Sequence, residues 1–149
     1  MESKFGIASI RLVEAHFALN QKFKWEKDKP IELQHSIDIA CENREEMLNV
    51  IVTVSSDSND QPFRFTVSWE GKFKFEVAPA KDMIERIAHV NCASIIFPYV
   101  RESIADLTRR ANIMPLNMPP INFVALYEQK QGKAKQAVSK KLRKKVEHK

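Results

Sequence analysis

A chain of 149 residues, 44% hydrophobic and 29% charged, suffices for one domain with a sizeable core. Its two cysteines, Cys41 and Cys92, stand far apart without CxxC or His-x-His spacing, which argues against a disulfide framework or zinc site and for buried thiols. The net charge of +5 is divided: residues 130–149 carry nine Lys or Arg and one Glu, a net of +8, leaving 15 basic and 18 acidic residues, a net of −3, in residues 1–129.

Phe5 to Phe17 alternates apolar and polar residues but changes phase midway, as a strand with a bulge would. Asn20 to Pro30 is polar yet carries Phe23 and Trp25, and is read as a long connection. Ile31, Leu33, His35, Ile37, Ile39 and Cys41 alternate with polar neighbours, predicting a half-buried strand with His35 facing inward. Met47 to Ser55 is rich in β-branched residues and predicts a third strand. Ser55 to Pro62 is a turn cluster whose acids lack calcium-loop spacing. From Phe63 to Val77 a strict period of two predicts the longest strand, with Gly71 at a bulge or bend.

After Pro79 the apolar period becomes helical. Pro98 interrupts it, so the expectation is two helical pieces, near 80–91 and 97–111, or one kinked rod. Asn112 suits the left-handed position that closes a helix, and Asn122 can cap a short final helix through Tyr127 and Gln129. Four strands followed by helices predict an α+β fold: a four-stranded antiparallel sheet, a long kinked or split helix, and a short C-terminal helix. Residues 1–130 form the domain and 131–149 a lysine-rich tail.

Catalytic signatures are missing. Three glycines leave no phosphate-binding loop, the four histidines are scattered, and neither a nucleophile elbow nor an HExxH motif occurs. No enzyme, no cofactor and no metal is expected. The chain does not open with a basic, apolar and small-residue succession, and no apolar run approaches the roughly 18 residues that span a bilayer. A cytoplasmic setting is expected.

The connection after the long helix is itself apolar. Ile113, Met114, Leu116, Met118 and Ile121 sit where a loop normally carries polar residues, so they are packed inside or held out for apolar partners. Methionine adapts to varied surfaces, so Met114 and Met118 favour promiscuous binding.

The run Phe97, Pro98, Tyr99, Arg101, Glu102 and Ile104, then Thr108 and Arg110, leads into Pro115, Leu116, Asn117, Pro119, Pro120, Asn122, Phe123, Ala125, Leu126 and Tyr127. It resembles the SecB family of bacterial export chaperones. Upstream the likeness rests on element order and on Phe23, Trp25 and Pro30. The resemblance implies a homotetramer, a dimer of dimers, that holds unfolded polypeptide without ATP. It places the client groove along Phe23, Trp25, Ile113, Met114, Leu116, Met118, Ile121 and Phe123. Clients would be preproteins passed to the export motor ATPase.

Two departures leave alternatives open. Relatives that feed the motor present acids on the outer sheet face; Glu14 fits, but strand four offers Arg64, Thr66 and Ser68, which suits a chaperone dedicated to an antitoxin of a toxin–antitoxin module. The tail, with Lys140, Lys141, Arg143, Lys144 and Lys145, offers an anionic-partner surface for nucleic acid or a membrane. The acidic body makes nucleic acid the weaker expectation.

Overall fold

The computed structural model describes residues 5–31 and 33–147, with side chains in the last helix given only up to Ala134 and at Gln136. Four strands, β1 (Phe5–Leu19), β2 (Ser36–Arg44), β3 (Met47–Ser56) and β4 (Phe63–Phe75), precede α1 (Lys81–Arg86), a π-helical segment (Ile87–Cys92), α2 (Ala93–Arg110) and α3 (Phe123–Glu147). The strands form one antiparallel sheet in the order β1-β4-β3-β2. This is the α+β arrangement that the pattern predicts.

The period of two does the sorting. On β3, Leu48, Val50, Val52 and Val54 are wholly buried, and on β4, Phe63, Phe65, Val67, Phe73 and Phe75 join them beneath α2. The phase change in β1 resolves into two bulges, between Ile7 and Ser9 and between Leu12 and Glu14. Gly71 is not a bulge: it pairs in register with Ile10 and Val50. A Cβ there would lie 2.6 Å from the Phe73 ring and 2.9 Å from Ile96 Cδ1, so glycine lets α2 approach the sheet.

Pro98 does not split the helix. It lies inside α2, and the π-helical segment precedes it. Ala93 N–H bonds back to Ala88 O, five residues away, which rephases the apolar stripe so that Ala88 and Cys92 face the core with Ala93, Ile96, Phe97, Val100 and Ile104. Asn112 takes a φ of 58° and closes α2 as expected. Its N–H bonds to Arg109 O and that of Ile113 to Thr108 O, the paired bonds of a Schellman motif. Asn122 Oδ1 accepts from Ala125 N at 3.1 Å, capping α3. That helix continues to Glu147 rather than ending near Gln129.

Two further expectations are corrected. β2 begins at Ser36, so Ile31 to His35 belong to the connection, and His35 is exposed rather than inward. Gln34 spends its carbonyl on the Ser56 hydroxyl, off the ladder. Cys41 is exposed, whereas Cys92 is wholly buried.

Candidate functional site

Strand order creates the site. β1 and β2 lie at opposite edges of the sheet, so residues 20–35 must cross its end to join them. That crossing faces the α2–α3 connection over Pro62 and Phe63, and between them opens a cavity of about 820 Å³. One wall carries Leu19, Asn20, Gln21, Phe23, Trp25, Ile31 and Leu33; the other runs from Ala111 to Leu116. Among the described residues none that line it carries a charge. A neighbouring hollow of about 560 Å³ shares Phe23, Trp25 and Ile31 and adds Lys24, Glu26, Lys29 and Asp60, giving the apolar cavity a polar annex.

Five residues expected at a groove meet here: Phe23, Trp25, Ile113, Met114 and Leu116. Phe23 and Trp25 brace one another edge to face at 5.4 Å. Met114 is 87% exposed and Trp25 59%, so the wall presents apolar surface to solvent. Met118 and Phe123 lie elsewhere. Both are core residues, 3% and 4% exposed, with the Phe123 ring edge-on to Phe97 at 5.5 Å. Ile121 is half-buried against the same core. The physical reason is that the second half of the α2–α3 connection turns inward to seat α3, and only its first half reaches the cavity.

Sequence reasoning missed Leu19, Ile31, Leu33, Pro62 and Phe63 as lining residues. Period alone assigned Ile31 and Leu33 to a strand. The side chains of Lys140, Lys141, Arg143, Lys144 and Lys145 lie outside the described residues, and the backbone there continues α3.

Further apolar side chains are exposed on β1, where Ile7, Leu12 and Val13 are about half accessible, and on α2, where Tyr99 is 44% exposed. Trp69 lies between strand and helix, its indole N–H donating to Ser103 Oγ at 2.8 Å and its ring 5.1 Å from that of Tyr99.

The titratable groups do not converge. Among the described residues no group of three or more His, Cys, Asp or Glu could hold a metal ion, and no helix is long and apolar enough to cross a membrane. His16 lies 3.2 Å from Glu14, and His89 Nδ1 is 2.9 Å from Glu85 O with its ring against Tyr127. Burial, and secondarily Cys41, pushes the Cys92 thiol up to about 12. A hydrogen bond from Arg110 holds the Asp106 carboxyl below its ordinary value. These groups stabilise or tolerate their surroundings; the described lining of the cavity offers apolar contact and backbone or amide hydrogen bonds.

Comparison with known proteins agrees with this geometry. The chain is 38% identical over 85 residues to the protein-export protein SecB of Acidithiobacillus ferrooxidans, covering 56% of each chain. It is 43% identical over 88 residues to that of Methylobacillus flagellatus, covering 58% of this chain and 55% of the relative. The matched stretch thus spans about half the length of these relatives. Among solved structures, a SecB-like chaperone of Mycobacterium tuberculosis, in complex with a peptide from an antitoxin, superposes with a TM-score of 0.67 at 17% identity, covering 78% of this chain and 90% of that one. A Streptococcus agalactiae protein of unknown function gives 0.51 at 9% identity, covering 80% and 99%. At those identities the likeness is one of fold. The model of the family "Preprotein translocase subunit SecB" matches residues 9–134, and with most of its length so matched the chain belongs to the SecB family.

Proposed function

We propose that this protein is an ATP-independent holdase of the cytoplasm, which binds unfolded or aggregation-prone polypeptides in its apolar groove and has no catalytic activity. The observation that carries the reading is the solvent-open, apolar wall of Phe23, Trp25, Ile113 and Met114. A monomer rarely leaves such side chains in water without a partner. Burial is worth about 25 cal/mol per Å², so each short apolar segment binds weakly. Several grooves on one assembly then raise the affinity for a single long client without new contacts. Selectivity follows from mass action, because a folded client hides the segments that an unfolded one offers.

The assembly we propose is a homotetramer, a dimer of dimers. Ile7, Leu12 and Val13 leave apolar side chains of β1 exposed, which a second copy would bury. As for the client, preproteins destined for the export motor are the first reading and a dedicated antitoxin the second, which the outer sheet face around Glu14 supports. There Ala18 pairs with Arg64, His16 with Thr66 and Glu14 with Ser68, and the next acid on that face, Glu70, is held by Arg11 at 3.0 Å. The basic tail, +8 over residues 130–149, favours an additional anionic partner. Removing residues 131–149 would abolish binding to such a partner, and counterion release would make it steeply salt-dependent.

Trp25 reports on the groove directly. Titrating a reduced, carboxymethylated and therefore permanently unfolded small protein should shift tryptophan emission to the blue, saturably and without ATP, and Trp25→Phe should remove most of the shift. An unchanged emission spectrum at saturating client would refute groove binding.

A further inference from the structure

Apart from Leu19 at the end of β1, the two walls of the groove are connections, and each is tied down from beneath by a buried polar side chain. Under the first wall lies Gln61, 2% exposed. Its Nε2 donates to Ser56 Oγ at 2.6 Å and to Phe63 O at 2.8 Å. The Ser56 hydroxyl donates in turn to Gln34 O at 2.6 Å, at the far end of the connection. At the near end, Asn20 Nδ2 donates to Gln61 O at 3.1 Å and to Asn59 O at 3.0 Å, while Asn20 N donates to Pro62 O at 2.8 Å. Both feet of the 20–35 connection therefore meet at one side chain and its own backbone.

Under the second wall lies Thr108, wholly buried in α2. Its hydroxyl donates back to the Ala105 and Ile104 carbonyls, at 2.9 and 3.0 Å. The same oxygen accepts the Leu116 N–H at 2.9 Å, eight residues ahead, and the Thr108 carbonyl accepts from Ile113 N at 3.1 Å. Ile113 and Leu116, which bracket the exposed Met114, thus hang from one threonine.

We infer that Gln61 and Thr108 are the positioning residues of the groove: they set where its two walls stand, and so the width offered to a client segment. This rests on the holdase reading above. Fully satisfied buried polar networks hold their members in one arrangement, because removing one partner leaves the other unpaired at the cost of its desolvation. Gln61 gives two bonds through Nε2 while its Oε1 has no hydrogen-bond partner among the described residues.

The test uses the full chain and three variants. Thr108→Val keeps the shape and removes the acceptor of Leu116 N–H; Thr108→Ser keeps the acceptor; Gln61→Met keeps the length and removes both Nε2 bonds. Amide hydrogen exchange is followed without client, and affinity for the carboxymethylated unfolded protein is measured well below the melting transition. Thr108→Val should speed exchange at Leu116 about tenfold, the scale of one lost hydrogen bond, and weaken client binding about fivefold. Thr108→Ser should restore both to wild type. Gln61→Met should lower the melting temperature and, in protein still fully folded at the assay temperature, weaken binding by a similar factor, a separation that a purely structural role would not give. Unchanged Leu116 exchange in Thr108→Val, or affinities within twofold in both Thr108→Val and Gln61→Met, would overturn the inference. If the wild type binds no client while Leu116 exchange responds as described, the holdase reading fails and the positioning of the wall stands.

Discussion

Truncating Met114 to alanine separates the groove from the fold. The side chain is 87% exposed, so its removal touches almost no intramolecular packing, and stability should stay within about 0.5 kcal/mol. Full burial of a methionine side chain is worth about 1.5–3 kcal/mol. Alanine retains part of that, and a client seated against one wall covers most of the remainder, so the loss per bound segment is about 1–2 kcal/mol. Affinity for one short apolar segment should fall roughly five- to thirtyfold. Fluorescence anisotropy with a labelled single-segment peptide measures it without the compensation that a long, multivalent client provides. Met118 is the control, because it is 3% exposed in the core. Met118→Ala should lower unfolding free energy by about 2–5 kcal/mol. Equal peptide affinity for wild type and Met114→Ala, or a large stability loss in that variant, would refute the placement of Met114 on the client-facing wall.

Gly71→Ala would set a methyl group 2.6 Å from the Phe73 ring and 2.9 Å from Ile96; overpacking of this kind costs about 1–3 kcal/mol, readable by denaturant titration. Near pH 8 an exposed-thiol reagent should modify Cys41 and leave the buried Cys92 unreacted until denaturant is added. Cys92 also predicts an alkaline weakness: its folded thiol is pushed up to about 12 from 9.0, so above pH 9 the unfolded chain loses a proton that the folded chain keeps. Stability should therefore be unaffected by this group below pH 9 and fall by about 1.4 kcal/mol by pH 10, a decline that Cys92→Ala should remove.

The sheet was legible because burial follows alternation: Leu48, Val50, Val52 and Val54 are buried as their spacing demands. Both helix boundaries that depend on asparagine, Asn112 and Asn122, were legible from backbone chemistry alone. The outcome at Pro98 was not, since the π-helical segment is a tertiary choice that rephases Ala88 and Cys92 toward the sheet. Ile31 and Leu33 alternate as a strand would, yet strand order pulls them across the sheet's end. Composition marked the α2–α3 connection as unusual but could not divide it. Met114 and Met118 are equivalent as residues, and only the inward turn that seats Phe123 against Phe97 makes one solvent-facing and the other core.

Holding is tested most directly by diluting a chemically denatured, slow-folding protein into ATP-free buffer at moderate salt, with and without this chain, while following refolding and light scattering. A groove that holds unfolded segments should suppress both in proportion to added chain, and Met114→Asp with Trp25→Asp should restore both. No suppression of either by the wild-type protein would contradict a holdase.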